Sequence, residues 1–382
     1  MSDLVESARQ SLRQRTAAWV EEVVLPGLVE SPGRVCGFDR ARLREAAAMG
    51  LTGVQIPMAL GGLGLDFSDK AELASLLAEA DFGFALSLIN THGVAWTLQR
   101  WLAPEIAERW LPGLLSADRL GCTALTEPGV GSDFGAISTL ARRDGEGWIL
   151  DGHKAWIINA VAADVVVVYA QTEPGTGARG IAGFVVDATQ PGFERGPPLG
   201  GPWAASAGVG GFRLEGYRAR AEDLIHPPGQ AFRRAMESIN GARTYVAAMC
   251  CGMLRRGIRI ALEYGTQRNT FGRPLAEHQG WRWPLVDAEI ELQASEALVQ
   301  QACRAIDASR PAERLAAQCK IAATRAAARH LPHLLHALGA AGLDPSVPLA
   351  RHVQAAQMAS LVDGSTEMLM ERVFLALRPA SR

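Results

Sequence analysis

The apolar residues of this chain follow a helical spacing of three and four for about the first 120 positions, lose it from Gly121 to about Ile225, and recover it to the end. In the middle stretch they form short or alternating runs bounded by Gly, Asp and Pro: Gly121–Thr126, Ile137–Arg143, Trp148–Asp151, Asp164–Ala170, Ile181–Val186 and Phe212–Ala219. Several short strands with no helical segment between them imply an antiparallel sheet or barrel. The expected fold is therefore α+β: an N-terminal α-helical domain over 1–120, a central antiparallel β-barrel or sheet domain over 121–228, and a C-terminal four-helix bundle over 229–382.

The helical blocks carry their own punctuation. Ser2 to about Val24 is amphipathic, Asp39 can cap a helix that runs to Met49 with Gly50 just beyond it, and Asp69 with Glu72 has the spacing of a capping box. Further helices are predicted over Gly83–Trp101 and Glu105–Leu114, and after Pro228 over about Phe232–Tyr264, Leu275–Ala308, Glu313–Leu338 and Leu349–Leu377.

Composition removes several functions. No apolar run approaches the ~18 residues of a membrane span, and the most hydrophobic one, Ala163–Ala170, is strand-sized. The first residues carry carboxylates and no apolar core of a secretory signal, so a cytoplasmic protein is expected. Six cysteines (Cys36, Cys122, Cys250, Cys251, Cys303, Cys319) lack both disulfide density and metal-ligand spacing, and no metal is expected. The 38 basic residues include only three lysines (Lys70, Lys154, Lys320), the arginines are dispersed among 40 acids, and the net charge is −2, so no basic stripe points to nucleic acid.

Three motifs remain. Leu125-Thr126-Glu127-Pro128-Gly129-Val130-Gly131-Ser132-Asp133 opens the β block; its glycines free backbone N–H groups to approach a ligand, and Thr126 and Ser132 offer hydroxyls. Asp151-Gly152-His153-Lys154-Ala155-Trp156-Ile157-Ile158-Asn159 follows about twenty residues later. Gln267-Arg268-Asn269-Thr270-Phe271-Gly272-Arg273-Pro274-Leu275, with Glu277-His278-Gln279, lies between the first two long C-terminal helices.

In identity, order and spacing these motifs resemble the acyl-CoA dehydrogenase flavoprotein family, and the resemblance covers essentially the whole chain. It implies FAD as cofactor. Leu125, Thr126, Gly131 and Ser132 match the loop over the isoalloxazine ring and pyrophosphate, with Ser132 also near the thioester chain. Trp156 matches an indole packed on the flavin, and Ile158 stands where a Thr is usual. Arg268 matches a contact to the pyrophosphate across a subunit interface, and Phe271, Leu275, His278 and Gln279 match the adenine-side groove. His336 and Gly339 stand where the family has a Gln and a Gly-Gly pair. Arg243 matches a residue facing the acyl-binding cavity, and Asn240 replaces an acid near the CoA moiety.

Dehydrogenating an acyl thioester requires a base for the weakly acidic α proton, and a carboxylate in a dry site can serve. The family carries a Glu either before Gly-Thr/Ser in the last loop or directly before the substrate-side Arg. Here the second position is Ala242 and the first is Asp363, in Leu361-Val362-Asp363-Gly364-Ser365-Thr366-Glu367. The base is therefore Asp363, flanked by Val362 on the substrate side and Ser365 on the cofactor side. Aspartate sets the carboxylate back by ~1.5 Å, a displacement that can cost ~100-fold in rate unless the substrate follows.

The resemblance thus implies an FAD-dependent acyl thioester α,β-dehydrogenase acting on acyl-CoA or an acyl carrier protein, with an electron-transfer flavoprotein as partner and a homodimer or homotetramer as assembly. Its departures at Ile158, Asn240, His336 and Asp363 leave room for a flavin oxidase, a desulfinase or a non-catalytic partner subunit.

Overall fold

The computed structural model describes residues 2–28, 38–201 and 204–378; Cys36, Pro202 and Trp203 lie outside them. The chain forms two compact units, one of Met1–Arg34, Phe67–Ala85 and Ile239–Arg382, the other of Val35–Asp66 and Leu86–Ser238. In chain order the helices are α1 (Ser2–Trp19), α2 (Leu25–Gly27), α3 (Arg40–Ala48), α4 (Phe67–Ala78), α5 (Phe82–Trp101), α6 (Pro104–Ala107), α7 (Leu111–Leu115), α8 (Ala231–Gln267), α9 (Gln279–Asp307), α10 (Glu313–Ala337), α11 (Leu349–Leu361) and α12 (Thr366–Leu377). The strands are β1 (Gly121–Ala124), β2 (Leu140–Asp144), β3 (Gly147–Ile157), β4 (Val165–Gln171), β5 (Ile181–Asp187), β6 (Phe193–Pro198), β7 (Gly210–Ala219), β8 (Leu224–His226) and the short pair β9 (Asn269–Thr270) and β10 (Arg273–Pro274).

Strand β4 explains the most hydrophobic run of the sequence. Val165, Val167 and Tyr169 point into a core shared with Val94, Leu98 and Leu111, while Val166, Val168 and Ala170 point into a second core with Leu150, Phe184 and Phe212. A strand covered on both faces needs apolar residues at every position. The sheet runs β6-β7-β3-β2-β4-β5-β8, with β1 also on β4. It is mixed rather than antiparallel: β1 lies parallel to β4 from Gly121↔Val165 to Ala124↔Val168, and β2 meets β4 parallel at Leu140↔Gln171. The β2–β3 hairpin and the segment after it return the chain to the same end of the sheet, so no helix is needed for the parallel pairing. Strand β6 went unpredicted because it ends in Gly-Pro-Pro, and β8 because it is three residues long.

Among the helices, Asp39 caps α3 as expected, accepting from Arg42 N at 3.0 Å, and Gly50 beyond it has φ +88°. The expected capping box at Asp69 and Glu72 is absent. Helix α4 starts two residues earlier, and its first N–H groups, Phe67 N at 2.8 Å and Ser68 N at 3.3 Å, donate to the carboxylate of Asp307 at the end of α9. Asp69 and Glu72 instead pair with arginines of α1, Asp69 with Arg9 at 3.2 Å and Glu72 with Arg13 at 2.9 Å. The predicted Glu105–Leu114 helix is two short pieces, each with a proline in its first two positions (Pro104 and Pro112). The predicted Leu349–Leu377 helix is broken at residues 362–365 into α11 and α12, both packed on α10.

Candidate functional site

The break between α11 and α12 places Asp363. Both Asp363 (φ +56°) and Gly364 (φ +99°) are in the left-handed region, a turn that costs an aspartate backbone energy and is natural for glycine. Two buried cations hold it. Arg243 of α8, 4% exposed, donates from Nε to the Asp363 carbonyl at 3.0 Å, and Lys320 of α10, 1% exposed, donates from Nζ to the Gly364 carbonyl at 2.7 Å. An ideal Cβ at 364 would stand 3.5 Å from Arg243 Nη2, an ordinary contact, so it is the positive φ and not lack of space that favours glycine there.

Asn240, one turn before Arg243, accepts from Arg243 Nη1 at 2.8 Å, so it orients the guanidinium. Ser365 caps α12, accepting from Met368 N at 3.4 Å, and Val362 closes α11. Ala242 is buried beside Arg243 and has no acid chemistry to offer.

Desolvation pushes the Asp363 carboxyl above the ordinary aspartate range, against the pull of Lys320 and Arg243. Burial likewise draws Lys320 down to about 8 although Asp363 opposes it, and lowers Arg243 from its usual value. A carboxylate with raised proton affinity, surface still accessible, and two cations fixed on its own turn is equipped to take a proton from a weak carbon acid. Glu367 on the first turn of α12 is exposed, with its carboxyl held low by hydrogen bonds at the helix start, so it lacks this environment.

The β unit supplies a second cluster. Glu127 and Val130 exchange backbone hydrogen bonds at 2.9 and 3.1 Å around a tight Pro128-Gly129 turn. The Glu127 carboxylate accepts from Ser138 N at 2.7 Å, Ser138 Oγ at 2.6 Å, Thr139 N at 2.9 Å, Thr139 Oγ1 at 2.6 Å and Lys154 Nζ at 2.9 Å. Lys154, 0% exposed, also donates to the Leu125 carbonyl at 2.9 Å. Burial opposes ionisation of Glu127, but Lys154 and the Ser138 and Thr139 donors outweigh it and hold the carboxyl at about 2. Lys154 itself is drawn down to about 8 by desolvation, with Glu127 opposing.

This pair fixes the loop on which Thr126, Gly131 and Ser132 stand. Gly131 and Ser132 are exposed, and the Thr126 and Ser132 hydroxyls have no protein partner among the described residues. The Thr126 carbonyl accepts from Ala155 N at 3.2 Å, which brings the loop beside Trp156. Trp156 sits in a bulge of β3 against β7 with φ +61° and an indole 55% exposed, next to the partly buried Ile158. An open glycine loop with two unpartnered hydroxyls, next to an exposed indole in an unfavourable backbone region, suits a flat aromatic ligand with polar edges.

The third motif forms the β9–β10 ribbon. Leu275 N donates to the Arg268 carbonyl at 2.8 Å, and His278 Nε2 lies 3.1 Å from the Thr270 carbonyl. Phe271 occupies the tip, 93% exposed with φ +52°, and the Arg268 guanidinium is exposed without an ion pair among the described residues. Trp281, which sequence reasoning missed, gathers this end of the bundle. Its Nε1 donates to the Ala337 carbonyl at 3.0 Å, and its ring fills the space a side chain at Gly265 would need, an ideal Cβ there standing 2.1 Å away. Gly265 precedes Arg268, Trp281 follows His278 and Gln279, and Ala337 follows His336, so the ribbon and the His336–Gly339 corner meet at one end of the helices. Gly339 there has φ +59° and open space around it.

Lys320, Glu127 and Lys154 were also missed as site residues. A signal for two of them was present: the three lysines of an otherwise arginine-based chain are all buried. No metal-binding group of His, Cys, Asp or Glu occurs among the described residues, and none of their helices is long and apolar enough to cross a membrane.

Comparison with known proteins gives one consistent picture. Family models described as acyl-CoA dehydrogenase N-terminal, middle and C-terminal domains match residues 6–118, 122–211 and 229–377. The chain is 29% identical over 361 residues to the mitochondrial short-chain specific acyl-CoA dehydrogenase of Bos taurus, covering 94% of this chain and 87% of that protein. It is 30% identical over 374 residues to the acryloyl-CoA reductase (NADH) of Anaerotignum propionicum, covering 96% and 93%. The solved butyryl-CoA dehydrogenase of Megasphaera elsdenii superposes with a TM-score of 0.92 at 26% identity, covering 97% of each chain.

Proposed function

The chain belongs to the acyl-CoA dehydrogenase family, and from that premise we propose that it is an FAD-dependent acyl-CoA α,β-dehydrogenase with Asp363 as its base. One observation carries the choice of base: Asp363 is a desolvated carboxylate on a turn held by Arg243 and Lys320. Asp363 takes the α proton of the thioester while the β carbon gives up a hydride, leaving an enoyl thioester. FAD supplies the acceptor for that hydride.

The residues do the rest. Arg243 and Lys320 fix the turn through its carbonyls, so the carboxylate is aimed by backbone geometry and loses little entropy on reaction. Trp156 offers an apolar face that keeps water from the cofactor, and the Leu125–Ser132 loop offers N–H and hydroxyl donors for its polar edges. Arg268 presents an unpaired guanidinium fork suited to a pyrophosphate, with Phe271, Leu275, His278, Gln279, His336 and Gly339 around the adenine side. Exposed Phe271 and the apolar stripe Trp283, Val286 and Ile290 on α9 support assembly into a homodimer or homotetramer. An electron-transfer flavoprotein is the acceptor that suits this role, and the free thiols of the five described cysteines favour the cytoplasm.

The test is anaerobic mixing of FAD-loaded protein with a panel of acyl-CoA esters. Bleaching of the flavin by an acyl-CoA, abolished in Asp363→Asn with FAD retained, is the expected result. Bleaching only by a loaded carrier protein would replace CoA as carrier, and unchanged turnover in Asp363→Asn would remove Asp363 as base.

A further inference from the structure

Trp156 holds a backbone conformation that a bulky residue does not keep unaided. Its φ of +61° is left-handed, and it stands where the pairing of β3 with β7 slips, between Lys154 and Ile157. Such a conformation persists only where the surrounding structure enforces it. On the upstream side the enforcement is the Glu127–Lys154 cluster: Ala155 N donates to the Thr126 carbonyl, and Lys154 to the Leu125 carbonyl and the Glu127 carboxylate. On the downstream side it is Asn159, two residues beyond the end of β3.

Asn159 is 0% exposed and also left-handed, at φ +66°, a conformation asparagine tolerates better than most residues. Its side chain bonds entirely to other elements. Oδ1 accepts from Ser87 Oγ at 2.5 Å, while Nδ2 donates to the Ser87 and Gly121 carbonyls at 2.9 Å each and to Thr91 Oγ1 at 3.2 Å. Ser87 and Thr91 lie one turn apart on α5, both fully buried, and Gly121 opens β1. The helix comes so close there that an ideal Cβ at Gly121 would stand 2.6 Å from Val94 Cβ. The Asn159 main chain is fixed as well: its N–H donates to the Ala207 carbonyl at 3.0 Å, and its carbonyl accepts from Ala162 N at 2.9 Å and Ala163 N at 2.8 Å. Only Ile157 and Ile158 separate this anchor from Trp156, so the strained residue lies on a short span pinned at both ends, and what the span presents outward is the indole.

We propose that Asn159 is a positioning residue of the cofactor site: by tying the chain beyond β3 to α5 and β1, it holds Trp156 at positive φ and so aims the indole at the flavin. This rests on the FAD-binding part of the function proposed above. Without the amide, the span relaxes toward the extended backbone that tryptophan prefers, and the ring leaves its place beside the Thr126 loop. Asn159 touches neither cofactor nor substrate and acts through Trp156 alone.

The test is a double-mutant cycle on FAD affinity, read by fluorescence titration of the full-length apoprotein. Asn159→Gly keeps the left-handed backbone accessible and removes the amide, and FAD is expected to bind about fivefold more weakly, close to the cost of losing the indole contact itself. In the Trp156→Gly background the same substitution should change FAD affinity by less than about twofold, because the ring it aims is gone. Amide exchange at Ile157 and Ile158 should quicken in Asn159→Gly. An asparagine that serves only the core would lower the melting temperature in both backgrounds and leave the FAD affinity of the folded protein unchanged; that result overturns the inference, and so does a loss of equal size with and without Trp156. Ser87→Ala, which removes only the hydroxyl that donates to Oδ1, gives a milder entry to the cycle if Asn159→Gly does not fold. It should weaken FAD by about two- to threefold with Trp156 present and not at all in Trp156→Gly, and no difference between the two backgrounds overturns the inference equally. Wild type that binds FAD but is bleached by no acyl-CoA ends the dehydrogenase reading and leaves this one standing, whereas wild type that takes up no FAD ends both.

Discussion

The ammonium of Lys320 donates to the carbonyl oxygen of Gly364 at 2.7 Å and so fixes the residue that follows Asp363. Lys320 acts on Asp363, the proposed base, in two ways: through this hydrogen bond it sets the turn, and through its charge it lowers the proton affinity that burial raises. Lys320→Met should remove both. Turnover should fall by roughly tenfold or more from misplacement of the carboxylate, and the acidic limb of the pH profile should move to higher pH because the cation no longer favours ionised Asp363. A purely structural lysine would lower the rate without moving that limb. The measurement is kcat/KM against pH for both proteins.

Asp363 itself should be a liability to stability. Its folded proton affinity is raised, chiefly by desolvation, so its contribution to stability is present below the ordinary aspartate range and is lost as the pH rises through the folded value. At neutral pH the ionised form is the less stable one. Asp363→Asn should therefore raise the melting temperature at pH 7 while lowering turnover by about 10²–10⁴-fold, and the gain should shrink toward pH 4. A lower melting temperature at pH 7 would mean that Arg243 and Lys320 outweigh the desolvation.

The Glu127–Lys154 pair behaves oppositely. Glu127 is held at about 2, below its unfolded value, so its stabilisation is present above about pH 4.3 and is lost as the pH falls toward 2. Lys154→Met leaves that carboxylate buried without its cation and should cost about 3–5 kcal/mol by urea denaturation. The loop bearing Thr126 and Ser132 should loosen with it, which faster amide exchange at Gly129–Ser132 would register.

The fold and the three motifs were legible because local rules generate them. Period two between Gly121 and Ile225, glycines around Ser132, and the Asp363-Gly364-Ser365 run each announce a backbone requirement within a few residues. What stayed hidden depends on distant partners. The true cap of α4 is Asp307, 240 positions beyond Phe67; Glu127 meets Lys154 across 27 positions; and Trp281 joins Gly265 to Ala337 on two other helices. The parallel pairing of β1 with β4 was missed for the same reason, since no helix advertises the return. The lysines were the one distributed signal available. Where arginine serves nearly every solvated position, a retained lysine marks a site that needs a compact point charge.

Trp156 gives a prediction that separates cofactor binding from folding. Its indole is 55% exposed and its backbone has φ +61°, so the side chain contributes little burial and holds an unfavourable conformation. Trp156→Gly removes both the large ring and the penalty for positive φ, and the apoprotein should melt at the same or a slightly higher temperature. If the indole packs on the flavin, FAD should bind about five- to tenfold more weakly, as loss of an aromatic contact of roughly 1–1.5 kcal/mol requires. Fluorescence titration of apoprotein with FAD measures the one and differential scanning calorimetry the other. A variant that melts lower but binds FAD as tightly as wild type would assign Trp156 to the packing of β3 and remove it from the flavin site.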